Sequence, residues 1–125
     1  MRSDWMRECA METDNHTVSS NSGAIALGPV GRIPPGEGRC FKIGARQAAV
    51  FRQRDGAVFA LQARCPHQGG PLADGLIGAG AVVCPLHGRR FRLSDGAGVD
   101  NELAARSYPV EVRGATIFIR GLEQP

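Results

Sequence analysis

The chain is predicted to be an all-β, antiparallel domain, and three observations carry that expectation. Seventeen glycines and eight prolines are spread through 125 residues, the composition of short strands joined by tight turns. Strand-like apolar runs recur with turn signals between them, and no segment has the three-to-four-residue apolar spacing of an amphipathic helix. An apolar content of 42% is enough to fill one core at this length. None of the apolar runs approaches the ~18–20 residues of a membrane span.

Residues 1–23 stand apart. They are polar and aperiodic and end in SSNSG at 19–23, so they read as a flexible lead before a domain at 24–122. Trp5 and His16 fall in this lead, and His16 reads as a solvated side chain rather than a ligand. Met6 and Met11 are alternative starts. The lead has neither the apolar stretch of a secretory signal nor a twin arginine, which makes a reducing cytoplasm the expected location.

From Ile25 onward strands and turns alternate. The runs RCFKI (39–43) and QAAVFR (47–52) are predicted strands separated by Gly44-Ala45. Asp55-Gly56 is a hairpin signal, and VFAL (58–61) returns from it toward Cys65. Residues 76–77 and 81–83 flank Gly78-Ala79-Gly80 as a second hairpin, whose return strand runs into Cys84. Residues 91–93 leave that point, and Ser94-Asp95-Gly96 turns them. Residues 101–105 can make one helical turn. A last hairpin joins 108–112 to 116–119 around Arg113-Gly114. Asp74 and Asp95, each beside a glycine, read as turn formers rather than acids.

The net charge of +3 rests on 15 basic and 12 acidic side chains. Without an aromatic-interleaved basic stripe, it gives no sign of nucleic-acid binding. No glycine-rich dinucleotide motif opens a helix, so flavin and nicotinamide belong to another protein.

The chemistry lies in two runs, Cys65-Pro66-His67 and Cys84-Pro85-Leu86-His87. Each offers one thiolate and one imidazole from a tight loop, so together they bring two sulfurs and two nitrogens to one metal site. Structural zinc modules commonly pair Cys with Cys in one knuckle and His with His in the other. The interleaved order Cys, His, Cys, His instead suits a cluster of two distinct irons, one bound by both cysteines and the other by both histidines. A zinc knuckle and a box that has lost its cluster are the competing readings. Of the four cysteines, this leaves Cys9 in the lead and Cys40 in a strand, where Cys40 reads as a small buried apolar residue rather than a disulfide partner of Cys9.

The stretches CPHQGGPLADG (65–75) and VVCPLHGRRFRLSDG (82–96) resemble the two cluster-binding boxes of the Rieske family, Cys-x-His-x-Gly (Cys65, His67, Gly69) and Cys-x-x-His-Gly (Cys84, His87, Gly88). The resemblance runs from about Ile25 to Ile119. It implies a Rieske-type 2Fe-2S cluster on Cys65, His67, Cys84 and His87. It also implies a basal barrel-like sheet with a small cluster-binding subdomain, 63–96, inserted in it. High-potential family members carry an extra cysteine in each loop and a serine after the second His-Gly. Here 68–70 are Gln-Gly-Gly, 85–86 are Pro-Leu, and the serine position is Arg89, so a low potential is expected. Phe91 and Leu72 are expected to pack beneath the loops, and Tyr108 in a strand core. Arg89, Arg90 and Arg92 either steer an acidic partner or form a solvated basic edge.

As a one-electron carrier of this family, the chain is expected to be an electron-transfer subunit rather than a self-sufficient enzyme. It lacks the histidines and the length for the mononuclear iron domain of a catalytic oxygenase subunit. Pro71 and Ala73-Asp74-Gly75 make it most similar to the small subunit of assimilatory NAD(P)H nitrite reductase, whose partner is a large subunit holding flavin and sirohaem. The alternative is a ferredoxin passing electrons from a flavoprotein reductase to a ring-hydroxylating oxygenase. A redox-sensing or regulatory module is the third reading. Neither a nucleic-acid nor a membrane partner is expected.

Overall fold

The computed structural model describes residues 24–43, 46–66, 70–86, 88–99 and 101–120, together with the strand at 11–12. Its strands are β1 (Met11–Glu12), β2 (Ile25–Pro29), β3 (Glu37–Ile43), β4 (Arg46–Arg52), β5 (Val58–Gln62), β6 (Leu76–Gly78), β7 (Ala81–Val83), β8 (Arg90–Arg92), β9 (Ser107–Tyr108), β10 (Val110–Arg113) and β11 (Thr116–Ile119). They form three sheets, ordered β1-β3-β4-β5-β9, β10-β11-β2 and β6-β7-β8. Every pairing is antiparallel except that of β1 with β3, where Met11 lies opposite Phe41.

The fold is organised by β4. Its sequence is apolar at four successive positions, the pattern of a strand buried on both faces. Ala48 and Val50 face a basal core with Leu27, Ile33, Phe41, Ala60, Ile117 and Ile119. Ala49 and Phe51 face a second core with Leu61, Leu72, Val82, Phe91 and Leu93. Because successive side chains of a strand point to opposite faces, one strand serves both cores. The central sheet is therefore a middle layer, with β10-β11-β2 on one side and β6-β7-β8 on the other.

The expected hairpins form, and their turns have identifiable chemistry. Between β4 and β5, the Asp55 carboxylate accepts the Ala57 N–H at 2.9 Å, closing an Asx turn. Between β6 and β7, Ala79 and Gly80 both have positive φ, 53° and 78°. That is the geometry of the two-residue type I′ turn, whose twist matches the strands it joins. After β8, Asp95 accepts the Ala97 N–H at 3.0 Å.

Two expectations fail. Residues 101–105 contain no helical turn: Asn101 uses its side-chain oxygen to accept the Leu103 N–H at 2.9 Å, and this local bond competes with the helical one. Cys40 is disulfide-bonded rather than a simple apolar filler. It is half-buried, with its side chain packed at the margin of the core shared by Cys65 and Cys84. Neither Cys65 nor Cys84 takes part in a disulfide, and Cys9 lies outside the described residues. The Gly44-Ala45 turn and the lead other than 11–12 also lie outside them.

Candidate metal centre

Cys65 and Cys84 are presented by loops built in the same way. After β5, the chain keeps a short antiparallel ladder: Leu72 donates its N–H to the Ala63 carbonyl at 3.1 Å, and Arg64 bridges Pro71. The next rung is the N–H of Cys65 donating to the carbonyl of Gly70 at 2.7 Å. In the other loop, Val83 pairs with Arg90 across β7 and β8. The next rung there is the N–H of Cys84 donating to the carbonyl of Arg89, also at 2.7 Å. Each cysteine is thus the first residue beyond a paired rung, and each loop closes on the residue five places later. In the second loop Gly88 also donates to the Cys84 carbonyl at 2.9 Å.

The two loops meet. A Cβ placed on Gly70 would lie 3.0 Å from the Sγ of Cys84 and 3.0 Å from the Cβ of Leu86. Only hydrogen fits there without displacing a neighbour, so glycine lets the first loop close against the sulfur of the second. Gly75 makes a similar approach just behind: a Cβ there would collide with the carbonyl oxygen of Val83, the residue before Cys84. Both glycines lie in the stretch 65–75, but the Cys-x-His-x-Gly spacing points to Gly69 and not to Gly70. Superposing the two Cys-Pro starts reveals it, because Gly70 then falls opposite Arg89 as the closing residue.

The sulfurs are sequestered. Cys65 and Cys84 are 4% and 2% exposed and belong to the core that contains Leu72, Phe91 and Leu93. Phe91 and Leu72 pack beneath the loops as the sequence suggested. Tyr108 packs against the basal core instead, consistent with a strand-core tyrosine. His67, Gln68, Gly69 and His87 lie outside the described residues, so the structure brings together the two sulfur donors of the predicted set.

The arginine run after His87 is less uniform than its sequence. On β8, Phe91 is buried while Arg90 and Arg92 point outward. The Arg92 guanidinium grips the Asp95 carboxylate through two contacts, at 2.8 and 3.2 Å. The backbone N–H of Ala97, then Arg92, hold the Asp95 carboxyl below its ordinary range. Arg92 therefore adds little net charge to this edge, and Arg89 is half-buried.

Two buried cysteines outside any disulfide, on matched loops, suit a site whose two thiolates share one iron of an iron–sulfur cluster, and a dry surrounding suits a cluster that must exchange electrons without losing iron. On this point the residues present fit a 2Fe-2S cluster.

Comparison with known proteins agrees. Residues 23–112 match the Rieske 2Fe-2S domain family. The oxygenase component of dicamba O-demethylase from Stenotrophomonas maltophilia is 43% identical over 82 residues, a stretch covering 57% of this chain and 23% of that protein. The matched part thus spans less than a quarter of that relative's length. Among solved structures, the ferredoxin of carbazole 1,9a-dioxygenase from Nocardioides aromaticivorans IC177 superposes with a TM-score of 0.72 at 28% identity, covering 79% of this chain and 98% of that one. A protein assigned as an NADH-dependent nitrite reductase small subunit from Mycobacterium tuberculosis gives 0.72 at 25% identity, covering 77% and 92%. The family match over most of the chain and the fold shared with these proteins lead to one conclusion: the chain belongs to the Rieske 2Fe-2S family.

Proposed function

We propose that this chain is a one-electron carrier whose cluster is held by Cys65 and Cys84 on one iron and His67 and His87 on the other, within a domain at 24–122 whose segment 63–96 forms the cluster-binding part. The observation that carries the reading is the pair of matched, closed loops that bring two buried cysteines into one core. A cluster bound there supplies reversible one-electron chemistry. The chain's own contribution is rigidity. Backbone rungs fix both cysteines, Pro66 and Pro85 stiffen the loops, and Phe91 and Leu72 exclude water from below. Without clamp cysteines or a serine after the second His-Gly, the potential belongs toward the low end of the roughly −150 to +300 mV family range.

The chain hands its electron to a larger redox partner. An oxygenase system is the reading the relatives favour: besides the demethylase component at 43% identity, a ferredoxin component of a naphthalene 1,2-dioxygenase/salicylate 5-hydroxylase system from Ralstonia matches over 86% of its own length. In that reading a flavoprotein reductase is the donor. The second reading, a small subunit of NAD(P)H nitrite reductase with a flavin- and sirohaem-bearing large subunit, rests on the near-complete superposition with such a subunit.

Reconstituted protein should contain close to two iron and two sulfide per chain, with a reduced-state EPR signal of low average g. One zinc per chain without sulfide after anaerobic preparation defeats the ligand assignment. Stopped-flow reoxidation of the reduced protein by an oxygenase component, against reoxidation by a sirohaem subunit, separates the partners. The cytoplasm is the proposed location, and Cys40 tests it. The Cys40 disulfide stands against a reducing compartment, so the proposed location fails if Cys40 in acid-quenched cells resists alkylation until reduced, and holds if it is alkylated directly.

A further inference from the structure

We propose that Arg89 is a fixed cation of the cluster's surroundings that raises its reduction potential, distinct in role from the exposed Arg90 and Arg92. The inference rests on the ligand set proposed above. Arg89 is tied to a sulfur donor by its own backbone, since its carbonyl accepts the Cys84 N–H at 2.7 Å. It stands two residues before Phe91, a buried member of the core that holds both cysteines, whereas the exposed Arg90 and Arg92 alternate with Phe91 on the solvent side of β8. Its side chain is half-buried, and the guanidinium Nε has no solvent exposure.

Burial decides which arginine matters. Reduction adds one negative charge to the cluster, and a nearby cation stabilises that state. An exposed charge is screened by water and salt within about 10 Å at 0.1 M ionic strength, while a partly buried one is screened far less. Arg92 is further discounted by its ion pair with Asp95 at 2.8 Å. Arg89 thus offsets part of the stabilisation lost where the family's serine is missing.

The test is a redox titration of cluster-loaded wild type, Arg89→Met, Arg89→Lys and Arg90→Gln, at low salt and at about 1 M salt, where the Debye length falls to ~3 Å. Iron and sulfide content and the EPR signal are measured on the same samples. Arg89→Met should move the midpoint negative, by more than Arg90→Gln does, and the shift should survive high salt. The Arg90→Gln shift should vanish there, and Arg89→Lys should retain most of the wild-type value. If Arg89→Met fails to load its cluster, Arg89→Gln carries the same expectation. A normal wild-type signal with an unmoved midpoint in a fully loaded charge-removing variant overturns this inference alone, as does a shift that disappears with salt. A wild type without the low-g signal overturns the ligand reading and this inference together.

Discussion

On one face of the β4–β5 pair, Leu27, Ile33, Phe41, Ile117 and Ile119 make a core of hydrocarbon alone. On the other, Phe51, Leu61, Leu72, Phe91 and Leu93 surround two cysteine sulfurs. The basal core joins strands from both ends of the domain, β2 with β11. The second core sits under short three-residue strands, β6, β7 and β8, which are marginal without added support. The difference suggests a division of labour: the basal core holds the fold, and bound metal completes the stability of the other side.

The largest break in the comparison comes from removing the proposed metal donors. Cys65→Ser with Cys84→Ser should abolish the cluster and lower amide protection in β6–β8, while β2 and β11 remain protected in hydrogen exchange. Equal loss of protection throughout would show that the two cores are one cooperative unit.

Next come paired truncations, one on each face. Ile117→Ala and Leu72→Ala should each cost about 2–5 kcal/mol, since both side chains are fully buried. Only Leu72→Ala should also reduce cluster content, read from visible absorbance per chain. Equal cluster loss in both variants would refute the division.

A smaller effect is expected from Gly70→Ala. The added methyl meets Cys84 Sγ and Leu86 Cβ at 3.0 Å, an overpacking that typically costs about 1–3 kcal/mol. The loops should be forced apart, lowering iron occupancy while the thermal transition of the basal core stays near wild type. Wild-type iron occupancy in this variant would mean the loops yield freely.

The smallest effect concerns Asp95. Its folded carboxyl titrates below the ordinary aspartate value of 3.8, chiefly because of the Ala97 N–H and then Arg92. A depressed folded value gives stability that is present above 3.8 and lost as pH falls through the lower folded value. Asp95→Asn should therefore lower the melting temperature slightly at about pH 6, and the difference from wild type should shrink as pH falls below 3.8. A gap that widens in acid would show that the carboxylate is not the source. Because the side chain is exposed, the shift should also shrink with salt.

Much of the fold was legible because its signals are local. Asp55-Gly56, Ser94-Asp95-Gly96 and the strands around Gly78-Ala79-Gly80 announce hairpins through turn chemistry, which acts over a few residues. The failure at 101–105 was local too: Asn101 offered the backbone a side-chain acceptor, and sequence periodicity does not show which bond wins. At the metal centre, the cysteines stood out through their shared Cys-Pro starts. Gly70 did not, because its importance comes from a sulfur carried by a different hairpin. The arginine run was misleading as a simple count, since Arg89 is half-buried where it closes the Cys84 loop, and the Asp95 contact to Arg92 depends on the turn after β8.

Residue types and short spacings by themselves determined the all-β class and the hairpins and pointed to Cys65 and Cys84 as the proposed sulfur donors, because turn preference and ligand chemistry are written within a few neighbouring positions. Tertiary structure decided the rest. It assigned alternate residues of β4 to two different cores, placed Gly70 against Cys84, and left Arg89 half-buried while Arg90 and Arg92 face water. Those outcomes follow from which distant segments pack together, and a residue's environment is a property of the neighbours the fold brings to it.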